Sequence, residues 1–143
     1  MCATLGGRGV LMEKILVVED NEVAALALCR LLKARGYEVA SAPDAIMAVE
    51  CARRLQPDIV LLDISIPGGN GFSVADKIQK LIAKPVHLLF LTASEDPMLK
   101  EKALSVGAAE FVQKPYQPAE LLEAIRDTLD GLKTGFRKEV YVL

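Results

Sequence analysis

Asp58-Ile59-Val60-Leu61-Leu62-Asp63-Ile64 is the stretch that decides the fold. Four consecutive apolar residues, Ile59 to Leu62, stand between two aspartates. A run this short, without polar alternation, reads as a strand buried on both faces of a sheet. An aspartate at the end of such a strand is costly unless a nearby group uses or neutralises its charge. The same arrangement recurs along the chain. Ile15-Leu16-Val17-Val18 runs into Glu19-Asp20, Leu88-Leu89-Phe90-Leu91 into Thr92, and Glu110-Phe111-Val112-Gln113 into Lys114. Four polar positions therefore stand in one relation to four apolar strands, and that repetition defines a candidate site.

Working outward, strand-like runs alternate with helical patterns five times. The strands are Lys14–Val18, Glu38–Ala42, Ile59–Leu62, Val86–Leu91 and Ala109–Val112. The first helix, Val23–Arg35, places Ala25, Leu28, Cys29 and Leu32 at helical spacing and is closed by Gly36. The second, Asp44–Leu55, has Ala45, Ala48, Val49 and Ala52 on one face and is stopped by Pro57. The third, Phe72–Ile82, turns Val74, Ile78 and Leu81 inward. The fourth spans Pro97–Val106. The fifth begins at Pro118, a good first-turn residue, with a core face of Leu121, Leu122, Ile125 and Leu129. Strict alternation with short connections predicts an α/β domain, a doubly wound five-stranded parallel sheet with five helices. The domain spans 13–132, between a flexible extension at 1–12 and a tail at 133–143, whose end Val140-Tyr141-Val142-Leu143 has strand character.

The bulk properties exclude several classes. A chain of 143 residues with 52% hydrophobic and 25% charged residues holds one domain with a core. The net charge of −2 supplies no basic field, which disfavours nucleic acid as a direct partner. No apolar run approaches the roughly 20 residues that cross a bilayer. Cys2, Cys29 and Cys51 are odd in number and widely spaced, unlike a disulfide framework or a zinc site, and point to the reducing cytoplasm.

In a parallel α/β sheet, ligands bind beyond the carboxyl ends of the strands. Glu19, Asp20, Asp63, Thr92 and Lys114 all fall there. If the first and third strands are neighbours, three carboxylates converge and call for a cation; a hard divalent ion such as Mg²⁺ suits oxygen donors. An aspartate can also attack a phosphoryl donor, and phosphoryl transfer needs mainly positioning and charge neutralisation. Lys114 offers a positive charge for this and Thr92 a hydroxyl. The alternative for Glu19-Asp20 is a cap on the helix that starts near Glu22.

These residues carry a resemblance. Lys14-Ile15-Leu16-Val17-Val18-Glu19-Asp20-Asn21, the stretch from Asp58 to Ile64 with Pro67 and Gly71, Leu91-Thr92-Ala93, and Lys114-Pro115 resemble, in order and spacing, the CheY-like receiver domain of two-component response regulators. The match covers roughly Glu13 to Leu132. It implies the strand order 2-1-3-4-5 and a phospho-accepting Asp63. It implies Mg²⁺ held by Asp20, Asp63 and the Ser65 backbone carbonyl, with Glu19 assisting through water. It implies that Thr92 and Lys114 contact the phosphoryl group, that Phe111 is a rotating switch aromatic, and that the Lys114-Pro115 bond is cis. The implied partners are a histidine kinase or histidine phosphotransfer protein as donor. A downstream protein would dock on the face of the fourth helix, fifth strand and fifth helix. A homodimer through that face is compatible with the sequence, although no patch singles it out.

The chain departs from the family pattern at Gly69, where an apolar residue usually stands. Beside Gly68 this predicts a more mobile loop next to Asp63. Ser65 and Ser94, two residues beyond Asp63 and Thr92, predict an uncrowded site with no special protection of the phosphoryl group. His87 lies inside a strand, away from the site. The competing readings are a receiver-fold docking module that works without phosphorylation, a receiver fragment of a hybrid histidine kinase, and an aspartyl-phosphate phosphatase. The last would need a second acid where Ser65 stands, so the chain reads as a non-enzyme that catalyses only its own phosphorylation and dephosphorylation.

Overall fold

The computed structural model describes residues 12–107 and 110–130. The elements run β1 (Lys14–Val18), α1 (Glu22–Ala34), β2 (Glu38–Ala42), α2 (Ala45–Leu55), β3 (Ile59–Asp63), α3 (Gly71–Leu81), β4 (His87–Thr92), α4 (Pro97–Ser105), β5 (Glu110–Gln113) and α5 (Pro118–Asp130). All five strands are parallel, in the order β2-β1-β3-β4-β5. The alternation predicted from sequence is thus realised element by element. Residues 1–11 of the extension expected at 1–12, residues 131–132 of the expected domain, the tail at 133–143 and Ala109, the expected start of the fifth strand, lie outside the described residues.

The sheet separates two cores. One, beneath α2, α3 and α4, gathers Leu16, Val60, Leu62, Leu88 and Phe90 with Phe72 and Ile78. The other, beneath α1 and α5, gathers Ile15, Val17, Leu61, Leu89 and Leu91 with Leu28, Leu32, Leu121 and Ile125. Successive strand residues face opposite cores, which is why β1, β3 and β4 are apolar at nearly every position. Phe72 and Phe90 stack at a tilt, with ring centroids 5.1 Å apart, and the Lys102 ammonium of α4 lies 5.0 Å from the Phe72 ring centre.

Local chemistry sets the helix starts. Asn21, Asp44, Asn70 and Asp96 are N-caps whose side chains accept the N–H of Ala24, Met47, Ser73 and Met98. The cap of α1 is therefore Asn21, not Glu19 or Asp20, and Asp44 stands outside α2 rather than opening it. Leu81, expected inward, is 40% exposed. The helix ends there, the backbone turns extended at Ile82, and Ile82 takes the core position instead. In α4, Leu99 packs against the core while Met98 faces out.

Candidate functional site

Parallel pairing brings the carboxyl ends of β1, β3, β4 and β5 to one rim. Val18 pairs with Leu62, Asp63 with Leu91, and Thr92 with Gln113. Asp63 and Thr92 are the last residues of their strands, and Glu19 and Lys114 the first beyond theirs. Adjacent strands lie about 4.8 Å apart, so these side chains fall within reach of one another.

Lys114 joins them. Its Nζ donates to Asp63 Oδ2 at 2.7 Å and to Glu19 Oε1 at 3.1 Å. Burial alone would lower the Lys114 pKa. The hydrogen bonds to Asp63 and Glu19, and the charges behind them, outweigh burial and hold it above the ordinary lysine value. The other Asp63 oxygen, Oδ1, accepts the Ser65 N–H at 2.9 Å, and Glu19 Oε2 accepts the Asn21 N–H at 3.0 Å. Both carboxylates are thus oriented by a backbone donor on one side and a shared ammonium on the other. Asp20 is exposed beside them.

The expected convergence of three carboxylates is only partly realised. Among the described residues, no three His, Cys, Asp or Glu side chains are gathered into a metal-binding group. Lys114 draws Glu19 and Asp63 onto itself, and Asp20 stays outside that pair. Two carboxylates already converge on one cation, and every donor in the set is a hard oxygen. That donor chemistry suits a hard divalent ion.

Thr92 is buried, and its Oγ1 accepts the Ser94 N–H at 3.0 Å. The Lys114 N–H donates to the Thr92 carbonyl at 2.7 Å, and the following Lys114-Pro115 peptide is cis, as expected. Phe111 is partly buried against the core that contains Phe90, its cross-strand partner. The loop after Asp63 is tied at both ends: the Ala45 N–H donates to the Pro67 carbonyl at 3.0 Å, and the Gly71 N–H to the Ile64 carbonyl at 2.8 Å. Gly68 and Gly69 carry positive φ of +84° and +156°, which glycine takes without strain. His87 opens β4, at the opposite end of the strand from Thr92.

Two residues near the site carried no signal of a role in the sequence. Tyr116 lines a hollow with Glu19, Leu28, Ala93, Lys114 and Pro115, and burial there pushes its phenol pKa up. Gln113 reaches the Ser94 carbonyl. Asn21, quoted above only within the receiver motif, caps α1 in place of the expected Glu19-Asp20.

A family model, the response regulator receiver domain, matches residues 15–126. The chain belongs to this family. The receiver domain is 34% identical over 117 residues to the DNA-binding response regulator MtrA of Mycobacterium tuberculosis H37Rv, covering 82% of this chain and 50% of that protein. It is 35% identical over 117 residues to MtrA of Mycolicibacterium smegmatis, with the same coverage. The chain thus spans about half the length of the curated relatives it matches. Among solved structures, the receiver domain is similar to a CheY-like response regulator receiver domain protein from Methanospirillum hungatei (TM-score 0.80, 26% identity, 87% of this chain and 99% of that one). It is also similar to the chemotaxis protein CheY4 of Vibrio cholerae (TM-score 0.77, 28% identity, 82% and 99%). This is the receiver domain of a two-component response regulator, with the CheY-like fold.

Proposed function

We propose that Asp63 accepts a phosphoryl group and that the receiver domain thereby switches a protein-binding face. The observation that carries this reading is the Lys114 ammonium, 2.7 Å from Asp63 Oδ2, at the rim where Thr92 also ends its strand. The donor is a histidine kinase or histidine phosphotransfer protein. An Asp63 oxygen attacks phosphorus, the bond from phosphorus to the donor nitrogen breaks, and the imidazole leaves. Ser65 N–H keeps the carboxylate turned to the rim, and Lys114 is placed to meet the charge of the incoming phosphoryl oxygens. Mg²⁺, when bound to Asp20, Asp63 and the Ser65 carbonyl with Glu19 assisting through water, supplies the remaining charge neutralisation.

Thr92 then moves toward the phosphoryl group, and Phe111 follows inward. The α4–β5–α5 face changes as a two-state population shift. This face suits a protein partner, in keeping with a net charge of −2. DNA binding is named for the longer relatives, and this chain spans about half of them. Among the described residues no helix is long and apolar enough to cross a membrane.

The test is intact-mass analysis after incubation with Mg²⁺ and acetyl phosphate. One phosphoryl adduct is expected, absent from Asp63→Asn. An adduct that persists in Asp63→Asn, or no adduct where a control receiver domain is modified, overturns the reading.

A further inference from the structure

Gln113 is the last residue of β5 and the cross-strand partner of Thr92. Strand alternation puts it on the same sheet face as Phe111, two residues earlier. Its Nε2 donates to the Ser94 carbonyl at 3.3 Å. Ser94 in turn gives its N–H to Thr92 Oγ1 at 3.0 Å, and its own Oγ accepts the Asp96 N–H at 3.1 Å, at the cap of α4. The turn from Thr92 to Asp96 is thus one hydrogen-bonded unit, and Gln113 grips it by a side chain. Because β4 lies between β3 and β5, Gln113 holds this unit from the flank opposite Asp63.

We propose that Gln113 is a latch: a positioning residue that holds the β4–α4 turn toward β5 and opposes the movement of Thr92 toward a phosphoryl group on Asp63. The proposal rests on the phospho-acceptor reading above. The Lys114 N–H to Thr92 carbonyl bond ties the backbones together at the strand ends. The Gln113 bond is different in kind. It comes from an exposed side chain and reaches two residues further, onto the part of the turn that must travel with the Thr92 hydroxyl. A bond made only in the unmodified arrangement lowers the fraction of molecules competent to receive the phosphoryl group. Apparent affinity for a phosphoryl mimic scales with that fraction.

The probe is beryllofluoride with Mg²⁺, titrated into the wild-type chain and Gln113→Met. Methionine keeps the length of the side chain and removes the donor. Gln113 is exposed, so the variant should fold, and an unchanged thermal midpoint confirms it. The latch predicts beryllofluoride binding roughly two- to fourfold tighter in Gln113→Met, the share of one weak neutral hydrogen bond. It also predicts that the Thr92 and Ser94 amide resonances of the unliganded variant shift toward their beryllofluoride-bound positions. Equal or weaker binding by the variant, with a responsive wild type, overturns the latch and leaves the phospho-acceptor reading standing. A wild type that does not respond to beryllofluoride overturns both.

Discussion

Lys114 answers two carboxylates with one ammonium, so its removal has two separable effects. In Lys114→Met the cation that competes for Asp63 Oδ2 and Glu19 Oε1 is gone. Mg²⁺ should bind more tightly, by roughly fivefold for about 1 kcal/mol of relieved repulsion. Phosphorylation from acetyl phosphate should slow, because the charge that meets the phosphoryl oxygens is lost. Isothermal titration with Mg²⁺ and the rate of adduct formation read the two separately; weaker Mg²⁺ binding would contradict the geometry. Gly71 makes a second prediction at this scale. A Cβ there would sit 2.9 Å from both the Asp63 carbonyl oxygen and the Ile64 Cα, backbone atoms that cannot turn aside. Gly71→Ala should therefore cost about 1–3 kcal/mol in urea unfolding and slow phosphorylation at the displaced Asp63. Asp63, Thr92 and Lys114 were legible in the sequence because each follows an apolar strand. The Lys114 bridge was not, since a bond between positions 51 and 95 residues apart depends on which strands are neighbours.

Elements were legible to within a residue or so wherever a periodic pattern met a breaker. Pro57, Gly36 and Pro118 marked ends or starts well, because their backbone restrictions act locally. Leu81 and Ile82 exchanged roles because helical spacing does not say where the last turn opens. The fourth helix was the hardest to orient: Met98 and Leu99 are adjacent and apolar, and only packing against the sheet puts Leu99 in and Met98 out. Gly36, just past α1, carries φ of +93° with open space where a Cβ would go. Gly36→Ala should therefore cost about 1–2 kcal/mol through backbone conformation alone, measured as a lowered urea midpoint without change in phosphorylation rate. A loss of phosphorylation would mean that the connection from α1 to β2 reaches the site.

For the molecule as a whole, alkaline pH reports on the site through stability. The folded-state pKa of Lys114 lies above the ordinary lysine value. Its ion pairs therefore contribute stability that is complete below the unfolded value of about 10.4 and is lost as pH rises through the raised one. Tyr116, whose phenol is raised chiefly by burial, adds a loss of the same sign. Urea unfolding followed from neutral to strongly alkaline pH should show a decline that is shallower in Lys114→Met than in the wild type. Equal declines would mean that the ion pairs hold no stability. The order of strands was expected from the family resemblance rather than from residue pattern, because apolar runs do not say which neighbour they pair with.

The sheet keeps its two cores apart, and β5 alternates between them: Phe111 packs with the core beneath α4, while Val112 belongs to the one beneath α5. Substitutions can therefore accumulate on one side of this wall with little cost to the other. One lineage could retune the surface that α4 presents while retaining the core beneath α1 and α5. Two receiver domains with the same acceptor chemistry could in this way drift into separate conversations.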